Sequence, residues 1–415
     1  MNKPIKIIVG GQYGSEAKGT IASHICRTEN TDITVRTGSI NAGHTVYYED
    51  KAYKMQQIPV GWVNKSTKLV LGAGAYISPE ILEREVKWIA EATGEGVEGV
   101  KSRLYIDKRC GVHLTEHHKQ EADAKIHERM GSTGEGVAAA IVDKMNRGFG
   151  YKLFGQTDYA KDYNICDTVK LLNDAYDNAE SILIEGTQGT MLDLHMGHYP
   201  YVTSRQTTAS AWLTECGLSP SLDVEIIMVI RTCPIRVAGN SGPLSNEISW
   251  VKLARDINEK LYNKPPIVSE DALLAFEIAT ETAKNTLGIS KYSLESMTPE
   301  ERNEKAEELS SIYQLALKSL DDKTLHEVMK LFEVTTVTKK LRRLAYMDID
   351  ELAYTSMINR PTYIALTFLN YIFPALVSDS PLMKEHTEYI KHIEGITKSK
   401  VKYYNVDPYR VIELQ

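Results

Sequence analysis

Short runs of apolar and β-branched residues recur along the chain, and segments with the apolar spacing of helices separate most of them. Such short runs are typical of strands that are buried on both faces of a parallel sheet. The pattern therefore predicts an α/β fold, with a mostly parallel central sheet and helices on both faces. The predicted strands are Ile5–Val9, Ile33–Val35, Leu69–Leu71, Leu104–Ile106, Ile182–Ile184, Ile226–Ile230 and Tyr363–Leu366.

Several helices are predicted from apolar spacing and from the residues at their starts. One runs over Lys18–Ile25, and another begins at Ser78-Pro79-Glu80, where a capping serine precedes a proline in the first turn. Two more are predicted over Lys119–Met130 and Val137–Asn146. These helices fall between predicted strands, as a sheet covered on both faces requires.

The chain becomes charged and helix-rich from Asn246 to Phe332. Within this part, Glu300–Ser319 is a polar amphipathic segment of the kind that forms a solvated face. No internal repeat, low-complexity tract or flexible linker interrupts the sequence. We therefore expect residues 1–415 to form a single domain with a helix-rich insertion at about 246–332.

Composition narrows the class of protein further. Hydrophobic residues at 42% and charged residues at 25% of 415 are ordinary for a globular protein. A net charge of −7 argues against a nucleic-acid or anionic-membrane partner, and no apolar stretch reaches the length that spans a membrane. The five cysteines show no C-x-x-C spacing, which is typical of reduced thiols. We expect a cytoplasmic protein.

The first predicted strand leads into a glycine-rich loop that is a candidate phosphate site. Gly10, Gly11 and Gly14 allow a tight turn and close approach to a ligand, and Lys18 and Thr20 open the next helix. A helix N-terminus with a lysine attracts phosphate. The order K-G-T departs from the common phosphate-loop pattern, so a plain glycine turn between strand and helix remains an alternative.

Other loops combine small, hydroxyl, amide and basic residues. His44 in Asn41–Thr45 is a candidate acid or electrophile, although a loop histidine bonded to backbone is an equal alternative. Gly186–Thr190 and Tyr199–Ser204 carry residue types that hydrogen-bond neutral rings and phosphates. The basic run Lys339–Arg343 suits a carboxylate ligand or, alternatively, a solvated surface.

Seven motifs in order along the chain together resemble the adenylosuccinate synthetase family, whose α/β fold is related to that of phosphate-loop proteins. The resemblance implies a ligase that uses a nucleoside triphosphate and Mg²⁺. In that chemistry a phosphoryl group is transferred to O6 of a purine monophosphate, and the amine of L-aspartate then displaces it at C6. The motifs are Gly11–Gly19, Asn41–Thr45, Ile58–Gly61, Gly131–Gly134, Glu185–Asp193, Tyr199–Ser204 and Thr336–Arg343.

The resemblance also implies roles for individual residues. The catalytic residues would be Ser15, Lys18, His44 and Gln188. The monophosphate would be bound by Ser15, Asn41, Thr133, Arg147, Gln188 and Thr203, and Arg147 would reach the partner's site in a homodimer. The triphosphate donor would be bound by Gly14, Glu16, Ala17, Lys18, Gly19, Thr20, Gly43, His44, Thr45, Asn370, Asn405 and Pro408. Aspartate would be bound by Thr338, Lys340 and Arg342, and Mg²⁺ by Ser15 and Gly43.

Three departures from the family pattern point to altered substrates. Ser15 stands where the family has a catalytic aspartate that also ligates Mg²⁺, and a serine is neither an equivalent base nor an equivalent ligand. The lysine and aspartate of the guanine-reading motif are replaced by Phe368 and Asn370, and an asparagine offers adenine both a donor and an acceptor. Lys340 replaces an arginine near the ribose 2′-hydroxyl, which would loosen selection for a ribonucleotide.

These departures make the chain similar to a bacteriophage branch of the family that joins aspartate to dGMP on the route to diaminopurine DNA. We therefore expect dGMP as acceptor and ATP or dATP as donor, with GTP less favoured. Two alternatives stay open. The first is ordinary adenylosuccinate synthesis from IMP and GTP, and the second is a nucleotide-binding regulator without turnover.

Overall fold

A large, mostly parallel sheet forms the centre of the computed structural model, which describes residues 3–125, 134–262, 264–288, 297–335 and 339–414. The predicted α/β fold is confirmed. The strands are β1 (Ile5–Gly10), β2 (Ile33–Arg36), β3 (His44–Tyr48), β4 (Lys51–Met55), β5 (Lys68–Leu71), β6 (Tyr76–Ile77), β7 (Leu104–Asp107), β8 (Gly111–Val112), β9 (Asn164–Cys166), β10 (Ile182–Glu185), β11 (Val224–Arg231), β12 (Ile235–Arg236), β13 (Glu247–Ile248), β14 (Arg343–Ala345), β15 (Tyr363–Thr367), β16 (Lys400–Tyr404) and β17 (Ile412–Glu413).

Helices connect most of these strands. They are α1 (Lys18–Thr28), α2 (Pro79–Thr93), α3 (Gly96–Ser102), α4 (Thr115–Asp123), α5 (Val137–Asn146), α6 (Thr168–Asp177), α7 (Ala209–Cys216), α8 (Trp250–Lys260), α9 (Glu270–Thr286), α10 (Pro299–Glu304), α11 (Ala306–Ser319), α12 (Asp322–Val328), α13 (Ile349–Asn359) and α14 (Lys384–Thr397). Short 3₁₀ turns cover Val60–Val63, Phe154–Gln156, Asp158–Asp162, Thr190–Leu192 and Leu369–Tyr371.

The strand order of the large sheet is β17-β16-β15-β11-β1-β10-β2-β5-β7-β9. Every neighbouring pair is parallel except β16 and β17. The central position belongs to β1, whose Ile7 pairs with Ile184 on one side and Ile226 on the other. The loop that leaves β1 therefore emerges in the middle of the carboxyl edge of the sheet.

The two faces of the sheet are covered by different helices because consecutive side chains of a strand point to opposite faces. Ile8 packs in the cluster that contains Ile25 of α1 and Trp62. Ile7 packs in the cluster that contains Trp212 of α7. Both isoleucines are fully buried, as expected for a strand between two layers.

A separate apolar cluster lies in the helix-rich part of the chain. Trp250, Phe276 and Phe332 meet there, in a cluster formed by α8, α9, α11 and α12 with strands of the small sheet β12-β14-β13. The assignment of this part as an insertion within a single domain stays a prediction. Across the described ranges, no helix has the length and apolar character needed to cross a membrane.

Local sequence signals predicted some element boundaries well and others poorly. The helix predicted over Val137–Asn146 is confirmed. The prediction of Lys119–Met130 was wrong at its start, because α4 runs from Thr115 to Asp123. Residues 126–130 of that prediction lie outside the described residues. The helix predicted after Ser78 is present, but the serine side chain does not cap it.

Candidate active site

Predicted substrate loops converge at the carboxyl edge of the large sheet, because parallel strands all end at the same edge. The glycine-rich loop follows β1, and the loop that contains Asn41 follows β2. The Gly186–Thr190 segment follows β10, which lies between these two strands. Phe368 and Asn370 follow β15, two strands away from β1 on the other side. Sheet order thus brings segments that are distant in sequence to one edge.

The glycine-rich loop is shaped by left-handed residues and by an internal carboxylate. Gly14, Ser15 and Ala17 have φ angles of 85°, 59° and 64°. The buried Glu16 carboxylate accepts hydrogen bonds from the backbone N–H of Gly14 at 2.7 Å and from Lys18 Nζ at 2.6 Å. The loop therefore wraps around its own glutamate, which fixes the buried lysine at the start of α1.

The Gly186–Thr190 segment packs directly on the glycine-rich loop. Thr190 Oγ1 donates a hydrogen bond to the Gly10 carbonyl at 2.7 Å. Gln188 adopts a left-handed conformation with φ of 61°, and its side-chain oxygen faces Gly14. A Cβ added at Gly189 would lie 2.3 Å from the Gln12 carbonyl oxygen, so only glycine permits this approach. The two segments form one continuous surface.

His44 is held by a buried ionic network. It is the first residue of β3, and not a loop residue as expected. Its Nδ1 lies 2.5 Å from Glu185 Oε1, and the same oxygen accepts a hydrogen bond from Arg36 Nη1 at 2.8 Å. Burial and the Arg36 charge lower the pKa of His44 to about 4. The imidazole is therefore neutral near pH 7, and Nδ1 donates to Glu185, which leaves Nε2 for a ligand.

Glu185 and Arg36 are positioning residues that the sequence analysis did not assign to the site. Both end an apolar run, β10 and β2 respectively, and both are 1% exposed. The second carboxylate oxygen of Glu185 accepts from the Val60 backbone N–H at 2.7 Å. A charged residue directly after a predicted buried strand was the available signal, since a buried charge requires a partner.

The predicted aspartate segment meets the glycine-rich loop through one side chain. Arg342 Nη1 donates a hydrogen bond to Ser15 Oγ at 2.8 Å, although 327 positions separate the two residues. Lys340 lies elsewhere, because its Nζ bonds Glu307 Oε2 of α11 at 3.1 Å. Thr338 lies outside the described residues. Of the two predicted aspartate ligands that the structure describes, Arg342 thus directly contacts the glycine-rich loop.

The segment after β15, which contains the predicted ligands of the donor base, is held by contacts to other elements. The Phe368 backbone N–H donates to Asn405 Oδ1 at 2.9 Å. The buried Arg231 guanidinium stacks 3.7 Å from the centre of the Phe368 ring and forms an ion pair with Glu333. Asn370 lies half-buried in the following 3₁₀ turn. A lysine at position 368, as in the family pattern, would face the Arg231 charge.

The remaining predicted ligands differ in how they are placed. Asn41, Thr20 and Thr203 are half-buried, and Gly19 is buried against His44. Gly43, Thr45 and Pro408 are exposed. Arg147 is exposed at the end of α5. Thr133 lies outside the described residues. Packing of Gly19 against His44 therefore brings two of the predicted donor ligands together.

The predicted magnesium ligands supply neutral oxygens only. Ser15 offers a hydroxyl that already faces Arg342, and Gly43 offers a backbone carbonyl. The nearby Glu16 carboxylate is committed to Lys18 and to backbone N–H groups. In the part of the chain that is described, no group of three or more His, Cys, Asp or Glu side chains could hold a metal ion. Because Mg²⁺ favours carboxylate and phosphate oxygens, these residues fit an ion that enters with the triphosphate.

A buried lysine and a glycine-rich loop at the carboxyl edge of a parallel sheet are typical of α/β proteins that bind phosphate groups. The adenylosuccinate synthetase family model matches residues 7–158 and 151–373. The chain therefore belongs to the adenylosuccinate synthetase family, whose members are ligases that form a C–N bond. The family resemblance expected from the seven motifs is confirmed.

Curated relatives and solved structures support the same family. Adenylosuccinate synthetase of Methanocaldococcus jannaschii is 41% identical over 246 residues, which cover 59% of this chain and 68% of that protein. The enzyme of Methanococcus aeolicus is 39% identical over 245 residues, or 58% and 69% of the two chains.

The structural neighbours have lower sequence identity and show the fold. Succinoaminodeoxyadenylate synthetase of cyanophage S-2L, solved with dGMP and dATP bound, has a TM-score of 0.69 at 23% identity and covers 100% of this chain and 96% of its own. Fully ligated adenylosuccinate synthetase of Plasmodium falciparum has a TM-score of 0.70 at 20% identity, with 100% of both chains covered.

Proposed function

We propose that this ligase joins L-aspartate to C6 of dGMP, with ATP or dATP as the phosphoryl donor, to give 2-aminodeoxyadenylosuccinate. The observation that carries this proposal is the exposed Ser15 hydroxyl, which accepts a hydrogen bond from Arg342 at the tip of the glycine-rich loop. A neutral, short side chain stands there in place of the family aspartate. It leaves room for the 2-amino group of guanine.

The first step is transfer of the γ-phosphoryl group to the purine O6, which releases the nucleoside diphosphate and the N1 proton. Lys18 is positioned by Glu16 to neutralise phosphate charge. A bound triphosphate favours the imidazolium form of His44, because an opposite charge nearby raises the pKa. With Nδ1 bonded to Glu185, the protonated Nε2 donates to the transferring group. In the second step the aspartate amine bonds to C6, the C6–O6 bond breaks, and inorganic phosphate leaves.

The monophosphate and aspartate each have their own set of binding residues in this proposal. Asn41, Thr133, Gln188 and Thr203 hold the monophosphate, and Arg147 reaches the partner's site in a homodimer. The Lys340 side chain points toward α11, where it pairs with Glu307, and the family has an arginine near the ribose 2′-hydroxyl at this position. The pairing therefore supports weak selection against a deoxyribose. Thr338 acts with Arg342 on aspartate. Ser15 and Gly43 would contribute neutral ligands to Mg²⁺ bound with the triphosphate, where the ion would neutralise phosphate charge.

Asn370 reads the donor base in this proposal. Its amide offers both a donor and an acceptor, as adenine requires. Arg231 stacks on Phe368, so a lysine at position 368 would be repelled by the Arg231 charge. The absence of the guanine-reading lysine supports weaker binding of GTP. The cyanophage enzyme with dGMP and dATP bound has the same fold, which is consistent with this choice of substrates.

Ordinary adenylosuccinate synthesis from IMP and GTP is the second candidate. The adenylosuccinate synthetases that are 41% and 39% identical to this chain support this candidate. The third reading, a nucleotide-binding regulator, is less supported because Lys18, His44 and Arg342 are all retained.

A substrate matrix tests these readings. IMP, dIMP, GMP and dGMP are each combined with ATP, dATP or GTP in the presence of aspartate and Mg²⁺, and the products are identified by mass. We expect the highest kcat/KM with dGMP and an adenine donor. A preference for IMP with GTP would establish the conventional activity, and nucleotide binding without phosphate release would establish the regulator.

A further inference from the structure

A cavity of about 320 Å³ lies in the helix-rich part of the chain. Its walls come from α8, α9 and α11 and from the strands β13 and β14. Trp250, Phe276 and Tyr313 contribute aromatic rings to these walls, and Leu309 and Leu344 contribute aliphatic side chains. An apolar cavity of about 150 Å³ holds one benzene molecule, so this cavity has room for two or three fused rings.

Every carboxylate that the described residues place on the cavity wall is paired with a cation. Glu247 accepts hydrogen bonds from Arg343 Nε at 2.9 Å and from Nη2 at 2.7 Å. Glu281 pairs with Lys284 at 3.2 Å, and Glu277 pairs with an arginine of α8 at 2.9 Å. A charged ligand would have to break one of these pairs or stay unpaired, which is costly in apolar surroundings. The wall therefore favours an uncharged occupant.

One buried hydroxyl on the wall lacks a hydrogen-bond partner. Ser310 of α11 is 4% exposed, and its Oγ bonds none of the residues that the structure describes. A helical serine can instead bond the carbonyl one turn back, as Ser311 Oγ does with Glu307 at 3.0 Å. Because an unpaired buried hydroxyl is unfavourable, Ser310 offers a hydrogen bond to a molecule that enters the cavity. The aromatic walls and this hydroxyl together suit a fused-ring molecule with one hydrogen-bonding group.

A hydrogen bond connects the cavity to the predicted aspartate segment. Trp250 Nε1 donates to the Arg342 carbonyl at 2.7 Å, and both residues line the cavity. Arg342 also donates to Ser15 of the glycine-rich loop at 2.8 Å. A molecule that stacks on Trp250 would hold the indole, and through it the Arg342 backbone, in this arrangement. A binding residue that is already ordered loses less entropy when its ligand arrives.

We propose that this cavity is a regulatory site, which binds an uncharged fused-ring aromatic molecule with one hydrogen-bonding group and thereby increases the affinity for aspartate. The regulatory part rests on the proposed function, because it takes Arg342 as an aspartate ligand. The bound molecule packs against the aromatic walls and forms a hydrogen bond with Ser310. Because coupling is reciprocal, aspartate strengthens binding in the cavity by the same factor.

Two uncharged probes that differ by one hydroxyl, 2-naphthol and naphthalene, test the binding site by equilibrium dialysis. Ser310→Ala should weaken binding of 2-naphthol about fivefold, because one hydrogen bond is lost, and should not weaken binding of naphthalene. Ser311→Ala is the matched control, since Ser311 is exposed on the same helix, and it should bind both probes as the wild type does. Equal affinity of wild type and Ser310→Ala for 2-naphthol would overturn the site.

A variant that fills the cavity locates the probes independently of Ser310. Thr280 lines the cavity from α9, so Thr280→Trp should abolish binding of both probes. Ile278→Trp, at an exposed position of the same helix, should bind them normally. Retained binding in a folded Thr280→Trp protein would place the probes elsewhere and overturn the inference.

Aspartate kinetics test the regulatory part. Saturating 2-naphthol should lower the aspartate KM of the wild type about fivefold, with kcat and both nucleotide KM values within about twofold, and should have no effect on Thr280→Trp. Trp250→Phe keeps a ring but loses the N–H, so it should bind 2-naphthol without the change in aspartate KM. An unchanged aspartate KM in wild type with 2-naphthol bound would overturn the regulation.

The two kinds of measurement separate this inference from the proposed function. If the wild type forms no product but binds 2-naphthol in a manner that depends on Ser310, the proposed function and the regulation both fail and the binding site stands. If product forms and neither probe binds, this inference alone is overturned.

Discussion

His44 shows how a single predicted catalytic side chain depends on residues outside its own motif. Glu185 Oε1 accepts hydrogen bonds from both the His44 ring and the Arg36 guanidinium, and the three residues come from three different strands. The histidine thus has a fixed ring orientation before any substrate binds. A preorganised group of this kind stabilises a transition state without a reorganisation cost.

We expect His44→Ala to lower kcat about a thousandfold while nucleotide dissociation constants change little, because the lost contact forms mainly with the transferring phosphoryl group. Glu185→Gln should lower kcat less, since it keeps a hydrogen-bond acceptor for the ring but removes the charge. Rapid-quench turnover and nucleotide titration measure the two effects. Near-normal turnover of His44→Ala would remove this residue from the mechanism.

Asn370 provides a second test at the residue scale. In Asn370→Asp a carboxylate would face the adenine N1, and an unmatched buried polar pair costs about 1–3 kcal/mol. The ratio of kcat/KM for ATP to that for GTP should therefore fall about tenfold. Phe368→Lys is not expected to restore GTP use alone, because the new charge would stand against Arg231. If Asn370→Asp changed the preference between dGMP and IMP but left the ratio of kcat/KM for ATP to that for GTP unchanged, this role for Asn370 would be contradicted.

At the scale of elements, the start of α1 is fitted against the start of β3. A Cβ added at Gly19 would lie 2.8 Å from His44 Cβ and 3.0 Å from the Thr45 carbonyl oxygen. The glycine therefore sets how closely the helix that carries Lys18 approaches the strand that carries His44. Both predicted catalytic side chains depend on this one contact.

Gly19→Ala should separate the two elements by a few tenths of an ångström or more and lower kcat about 10- to 100-fold, because small displacements of catalytic groups are costly. Gly395→Ala in α14 is the control, since nothing lies within 4 Å of the added Cβ. That control should gain about 0.5–1 kcal/mol in the free energy of unfolding and keep its activity. Full activity of Gly19→Ala would show that the contact has no catalytic importance.

At the scale of the whole molecule, buried neutral histidines make stability depend on pH. Burial lowers the pKa values of His44 and His113 to about 4. The unfolded chain binds protons at these positions near pH 6.5, but the native protein does not until about pH 4. Stability is therefore fully present above pH 6.5 and is lost as the pH falls toward 4.

The free energy of unfolding, measured with urea, should be lower at pH 5 than at pH 7 by on the order of 2 kcal/mol for each of these histidines. His113→Gln should reduce this pH dependence, because glutamine can donate to the Glu135 carbonyl as the ring does and does not titrate. Equal stability at the two pH values would show that neither histidine is held neutral in the folded protein.

The sequence by itself determined the fold class and the predicted strands. Apolar runs report that a segment is buried, and glycines report where the backbone turns, because both are local properties of the chain. Lys400–Tyr404 was missed for the same reason, since its alternating lysines hide a strand near the sheet edge. The resemblance to the family motifs added candidate site residues that hydrophobic periodicity alone does not identify.

Only the tertiary structure decided which of these residues meet. The Ser15–Arg342 hydrogen bond and the His44–Glu185 contact join segments that are far apart in the sequence. Such contacts depend on strand order and on which edge of the sheet each loop leaves. A periodic pattern carries no information on strand order, because it records the burial of each segment and not the identity of its neighbours.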